Sequence, residues 1–436
     1  MWKYFFNFNW LFFDRLLKLF ASLFVGIWVA RYLGPSNFGI INYSAAFISF
    51  FAFLASGGIQ QIAIRELVKY PEQFNAYLGT VSTIFFIGGA LSVLVVYLCI
   101  SFLKADDNLI VFMVFISSLI FIFQTFSVVD LYNQAKVNSK LTVIASNISL
   151  LVSVFLKILF IINEKTVIYF AFANTLDVLL MGLILVYFYK RSGNKVSEWY
   201  FDKKIALKII KDSWPLAISM LLITIHQNID KLMIEDMMAM SDVGLYSVSV
   251  TLSTFWLFLP TIVGNTLMPY FVKLRDSNRD QYHKMLMGLT SLLFYFSLLI
   301  AFFMSTFSFE IINILFGASY VDSAGALAWS VWGTVILSMG VPWSIWMISE
   351  NLQIYRMYSQ LINVIFNISL NLILIPKYGI VGASIATVLT FALGTLGLGM
   401  IFPRIRPATL MIWKSVFPGH AYKMLVYVNK KRLMEG

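Results

Sequence analysis

The chain is expected to fold as an all-α polytopic membrane protein, with about 12 transmembrane helices in two pseudo-equivalent six-helix bundles. Three observations carry that expectation. Of 436 residues, 60% are apolar and 12% charged, and the mean hydropathy is +0.82; a soluble domain carries roughly 25% charged residues. Apolar stretches of about 20 residues, the length an α-helix needs to cross the hydrocarbon, recur from Leu16 to Phe402. The Lys and Arg between these stretches fall mostly on alternate sides. A backbone in lipid satisfies its polar groups only within helices or closed barrels, and stretches this long select helices.

The expected spans of the first half lie near residues 11–31, 39–60, 77–101, 109–130, 141–162 and 166–189. Those of the second half lie near 213–234, 243–271, 285–306, 323–348, 355–375 and 378–402. They divide the chain into an N-terminal lobe (1–189), a cytoplasmic linker (190–212), a C-terminal lobe (213–402) and a basic cytoplasmic tail (403–436). The linker is the longest polar interruption and carries seven Lys/Arg between Lys190 and Lys211.

With the N-terminus inside, the cytoplasmic segments hold 24 Lys/Arg. The opposite loops hold four: Arg31, Lys104, Lys165 and Lys377. This positive-inside bias sets both termini in the cytoplasm. Basic loops facing an anionic leaflet account for the net charge of +11 without a nucleic-acid partner. Cys99, the single cysteine, excludes an intrachain disulfide framework. Asp14, Arg15 and Lys18 interrupt the first apolar stretch, which reads as a retained signal anchor rather than a cleaved leader. Trp10, Trp214 and Tyr270 read as interface anchors. The tail is broken by Pro403, Pro407 and Pro418. It mixes Tyr422, Leu425, Val426 and Leu433 with Lys423, Lys430, Lys431 and Arg432, which suits either a basic amphipathic surface helix or a loose basic tail.

Two internal echoes support duplication. Phe38-Gly39-Ile-Ile-Asn-Tyr-Ser opens span 2, and Val243-Gly244-Leu-Tyr-Ser-Val-Ser opens span 8. Span 5 carries Ser146, Ser149, Ser153 and Lys157, and span 11 carries Ser359, Asn363, Asn367 and Asn371. Each set recurs every three or four residues and so lies on one helix face. With both halves entering from the cytoplasm, the repeat is parallel. Ser149, Ser153, Asn363, Asn367 and Asn371 are candidate ligands for hydroxyls; helix-to-helix hydrogen bonding explains such stripes equally well.

Ionisable residues at bilayer depth cost at least about 2.5 kcal/mol each and usually face a cavity or a partner. Asp14 pairs with Lys18 one turn away, leaving Arg15 for another ligand; snorkelling to the interface is the alternative. Lys157 in span 5 and Asp177 in span 6 form either a structural ion pair or a cavity cation beside a titratable carboxylate. His226 and Asp230 share a face of span 7 and suit proton coupling, since imidazole titrates near neutral pH; a packing pair is the alternative. Lys231 follows them, and Arg31 closes span 1 on the outer side. The expected anion-binding set is thus Arg15, Lys18, Arg31, Lys157 and Lys231, and the expected ion-coupling set is Asp177, His226 and Asp230. No Walker loop, dinucleotide fingerprint or Cys/His metal cluster is present, and the three histidines are His226, His283 and His420. No cofactor, metal or catalytic residue is expected.

Ala30-Arg-Tyr-Leu-Gly-Pro-Ser-Asn-Phe-Gly39 resembles the signature of Wzx-type polysaccharide-repeat flippases. These belong to the multidrug/oligosaccharidyl-lipid/polysaccharide exporter superfamily. Gln227-Asn-Ile-Asp-Lys231, Asp242-Val-Gly-Leu-Tyr-Ser247, Leu315-Phe-Gly-Ala-Ser-Tyr320 and Ile375-Pro-Lys-Tyr-Gly-Ile-Val-Gly-Ala-Ser384 look like further family patterns, in the right order. The resemblance implies a MATE-like pair of bundles around a central cavity. It also implies transfer of undecaprenyl-diphosphate-linked oligosaccharide, such as an O-antigen unit of lipopolysaccharide biosynthesis, across the bacterial inner membrane. Membrane lipids and the polymerase and chain-length regulator of the same pathway would be partners. Arg31 carries over only as a motif member. A peptidoglycan-precursor flippase or multidrug exporter of the same superfamily is the alternative, although intramembrane cations slightly outnumber acids. A polymerase or ligase would need a sizeable outer loop, and none exceeds about 15 residues on this topology. A channel would need a repeated filter sequence, which is absent.

Overall fold

The computed structural model describes residues 2–417 and Gly419; the side chains of residues 2–15, Gln353, Arg356 and Leu398 lie outside the described set. The chain packs as two compact units, residues 1–232 and 233–436. The first contains α1 (Trp2–Ser49), α2 (Ala52–Ser56), α3 (Ile59–Lys69), α4 (Phe74–Leu103), α5 (Asn108–Ser118), α6 (Ile120–Phe123), α7 (Val128–Ala135), α8 (Lys140–Ile162) and α9 (Val167–Arg191). Helix α10 (Lys203–Met237) runs from the first into the second. The second holds α11 (Met240–Phe255), α12 (Phe258–Ser277), α13 (Arg279–Thr306), α14 (Ser308–Phe316), α15 (Ser323–Ser349) and α16 (Gln353–Ala392). A π-helical turn (Leu393–Gly397), α17 (Leu398–Ile401) and α18 (Arg406–Ser415) complete it. No strand occurs among the described residues.

Eight of the described helices are long and apolar enough to span a membrane, or nine if α11 and α12, bent by 41°, count as one span. Two of the eight, Leu16–Ser49 and Met357–Ile401, are each interrupted by a left-handed glycine: Gly34 (φ 71°, ψ 172°) in α1 and Gly379 (φ 58°, ψ −140°) in α16. A straight helix of α1's length would reach roughly 72 Å, more than twice the hydrocarbon thickness. Glycine alone enters this backbone region cheaply, so each of these helices carries two of the expected spans. Helix α10, with His226, Asp230 and Lys231 in its second half, is not among the eight. The element order therefore accommodates about twelve segments.

Unit 1 has a buried core built from Ile62, Leu67, Leu78, Phe85, Val128, Leu185 and Ile209. Unit 2 has one built from Phe271, Tyr282, Leu286, Met347, Ile405 and Ile412. Both gather at the helix ends expected to face the cytoplasm. Between lipid-immersed helices there is no hydrophobic driving force; near the aqueous face there is. Elsewhere the helices present large apolar side chains outward, among them Phe24, Phe102, Leu299 and Ile314, as lipid contact requires.

Small residues set the close approaches within unit 1. A Cβ at Gly89 of α4 would lie 2.5 Å from the Phe121 carbonyl oxygen, and one at Gly79 would lie 2.5 Å from the backbone of Tyr200. The segment read as a linker is thus packed against the first unit: Tyr200 abuts α4, the Asp202 amide donates to Thr80 Oγ1 at 2.9 Å, and Ile205 and Ile209 join the core.

Candidate functional site

The serine face of α8 turns toward α9. Ser146, Ser149 and Ser153 are all buried; Ser149 donates to the Ser146 carbonyl at 3.0 Å, and Ser153 donates across to the Ala173 carbonyl at 3.2 Å. One turn further along, Lys157 is half-buried, five residues short of the end of α8. It lies close enough to Asp177 on α9 for the two charges to act on each other. No ion pair joins them among the described residues, and the Asp177 Oδ1 atom is buried without a hydrogen-bond partner.

Near the same end of α8, Arg31 and Tyr32 of α1 face Ile158, Ile161 and Ile162 across a groove of about 580 Å³ that Trp28 also lines. Tyr32 fixes this end of α1 by donating to the Lys165 carbonyl at 3.0 Å and by packing on Phe170, ring centres 5.8 Å apart. Arg31 is exposed and Lys18 half-buried. The side chain of Arg15 lies outside the described residues, as does that of Asp14, and the tail from residue 420 onward is also outside them.

On α10, His226 and Asp230 are both buried, 7% and 3% exposed, and the Asp230 charge acts on the imidazole one turn before it. Lys231 is half-buried and also feels Asp230. The structure thus places Lys157 near Asp177, on α8 and α9, and keeps His226, Asp230 and Lys231 together on α10.

The amide stripe of unit 2 is tightly enclosed. Asn367 and Asn371 are fully buried and Asn363 is 7% exposed. Asn371 donates to Asn367 Oδ1 at 3.2 Å, and Asn367 reaches Thr387 Oγ1 at 3.5 Å across the Gly379 break. Asn363 packs on the π-helical turn, where a Cβ at Gly394 would fall 2.3 Å from its Nδ2.

Two polar clusters at the expected cytoplasmic face escaped the sequence reading. In unit 1 the Glu66 carboxylate, with a side chain only 3% exposed, accepts from Lys208 Nζ, from Arg65 Nε at 3.0 Å and from Tyr77 Oη at 3.3 Å. Arg65 also bonds Asp212 at 2.5 Å. Burial opposes the charged form of Glu66, but the Lys208 and Arg65 bonds outweigh it and hold the carboxyl below its ordinary value. In unit 2 Arg275 grips Glu350 in a two-pronged bond, 3.1 Å on each arm, and Arg279 stands 3.8 Å away. The Arg275 bond holds Glu350 low against the cost of burial. Glu66 stands beside Arg65 in the sequence, but Lys208 lies 142 positions away, and Glu350 has no basic neighbour in sequence, its partner Arg275 lying 75 positions away.

Helices of this number and order, with intramembrane charges in the first unit and an amide stripe in the second, define a multi-pass membrane protein of the MATE and MurJ fold. An inward-facing multidrug resistance MATE family transporter of the MOP superfamily superposes with a TM-score of 0.71 at 14% identity, covering 90% of this chain and 95% of the other. The lipid II flippase MurJ in an inward closed conformation gives 0.69 at 15% identity, covering 94% and 90%. The profile of the family described as polysaccharide biosynthesis protein matches residues 7–275, and the chain belongs to that family. It is also similar to the probable low-salt glycan biosynthesis flippase Agl15 of Haloferax volcanii, 27% identical over 162 residues; that stretch is 36% of this chain and 33% of the relative.

Proposed function

We propose that this protein moves undecaprenyl-diphosphate-linked oligosaccharide units of O-antigen or a related surface polysaccharide from the cytoplasmic to the outer leaflet. It does so by alternating access. The observation that carries the reading is membership of the polysaccharide biosynthesis protein family over residues 7–275. A diphosphate bearing sugars does not cross about 30 Å of hydrocarbon unaided. Arg15, Lys18, Arg31, Lys157 and Lys231 offset its lost hydration with charge-assisted hydrogen bonds, while the polyprenyl chain stays in lipid. Asp177, His226 and Asp230 couple the cycle to an ion. The lobes are residues 1–189 and 213–402. The protein works as a transporter rather than an enzyme, in the bacterial inner membrane with both termini cytoplasmic, beside the polymerase and chain-length regulator of its pathway.

The test is a reconstituted vesicle assay in which the host's lipid-linked oligosaccharide starts in one leaflet and a lectin reads its arrival in the other. Wild-type protein speeds arrival, Lys157→Ala slows it about tenfold, a barrier change of about 1.4 kcal/mol, and Asp230→Asn removes its response to a pH gradient. Wild-type vesicles that leave the glycolipid in its starting leaflet would refute the reading.

A further inference from the structure

Unit 2 contains a cavity of about 460 Å³, lined by residues of α12, α15, α16 and the π-helical turn. That volume falls within the roughly 300–1,000 Å³ of small-molecule sites. Its polar lining is Thr261, Asn265, Trp343, Ser344, Gln360 and Thr395, and no charged residue lines it. Two of these groups have no hydrogen-bond partner among the described residues although their atoms are buried: Trp343 Nε1, a donor, and Gln360 Oε1, an acceptor. Leaving such atoms unsatisfied costs about 1–3 kcal/mol each. One end of the lining comes from the π turn, which carries Thr395; such turns widen a helix by one residue per turn and recur at functional sites. Gly340 also lines the cavity, and a Cβ there would meet nothing within 4 Å.

We infer that this cavity is a glycan subsite, holding a neutral sugar ring of the lipid-linked substrate. The inference rests on the proposed function and specifies which chemistry unit 2 recognises. A sugar hydroxyl both donates and accepts, so one ring suits the indole donor and the amide acceptor together once these buried side chains turn toward it. The C–H faces of a pyranose suit the apolar remainder of the wall, Met268, Leu337 and Ile345. A diphosphate is excluded from this position, because nothing in the lining is cationic. An inorganic cation lacks the carboxylate that would balance its charge. What unit 2 recognises in this cavity is therefore neutral sugar rather than the anion.

The experiment compares two probes on full-length protein in nanodiscs, by native mass spectrometry: bare undecaprenyl diphosphate, and the same carrier bearing the host's oligosaccharide. The variants are Gly340→Leu, which fills the open space beside the backbone, and Gln360→Leu and Trp343→Phe, which remove the two unsatisfied groups without adding volume. Each is expected to weaken binding of the glycosylated carrier about tenfold and to leave bare carrier within about twofold. If Gly340→Leu does not fold, the other two variants decide. Variants that bind the glycosylated carrier as wild type does would overturn the subsite and leave the proposed function standing. Loss of both probes together would also overturn it, as general disruption. Wild-type protein that binds neither probe would overturn the subsite and the lipid-linked substrate alike.

Discussion

Each unit holds one carboxylate at its basic end, buried in the first and half-buried in the second, and the two units neutralise it differently. Glu66 is met by three donors from three elements: Arg65 beside it on α3, Tyr77 on α4 and Lys208 on α10. Lys208 also sits 5.2 Å from the Tyr70 ring, which stacks on Tyr77. Glu350 depends on one residue, because Arg275 makes both of its short bonds and the exposed Arg279 stands off at 3.8 Å. A shared plan is still visible. Tyr77 and Tyr282 are both buried and are 205 positions apart, the same offset as Gly39 and Gly244 in the repeated motif. Both tyrosines lie within electrostatic reach of their unit's carboxylate. The tyrosines thus hold matching sequence positions, whereas Glu66 comes from α3 and Glu350 from the end of α15. Charge compensation is thus a property each unit solves for itself, redundantly in the first and at a single point in the second.

That contrast predicts unequal sensitivity. Arg275→Met should have the largest effect, about 2–3 kcal/mol of stability, the range for lost hydrogen bonds to a charged group, because the half-buried Glu350 keeps no short partner. Lys208→Met should cost about 1–2 kcal/mol, since Arg65 and Tyr77 still serve Glu66. Thermal melts of the detergent-solubilised protein, followed by intrinsic fluorescence, rank the two; a larger loss in Lys208→Met would reverse the comparison. The smallest effect concerns acid. Both carboxyls are held below their unfolded-state values. Their stabilisation is therefore present above the ordinary glutamate range, near pH 4.3, and is lost as pH falls through the lower folded-state values. A Glu66→Gln, Glu350→Gln double variant should lose less melting temperature than wild type as pH falls from about 5 to about 3. Parallel acid profiles would mean that neither carboxylate controls the acid limb.

The helices were legible in the sequence because lipid demands long apolar runs, and the breaks at Gly34 and Gly379 fall where turn residues mark them. Faces were legible too, but not what they face. The period of Ser146, Ser149 and Ser153 is the same whether they look into a cavity or at a neighbour, and only the Ser153 bond to Ala173 distinguishes the two. Lys157 and Asp177 were readable as neighbours on adjacent helices, whereas the missing ion pair between them depends on side-chain reach. The sugar-sized cavity was not legible at all. Trp343, Gln360 and Thr395 have no common spacing, and they converge only through the packing of α15, α16 and the π turn.

Cys99, the single thiol of the chain, sits half-buried in α4. One substitution therefore yields a cysteine-free background. Into it a lone reporter thiol can be placed at Gly340, Lys157 or any chosen depth, so that maleimides applied from either face map which walls of the protein are wet.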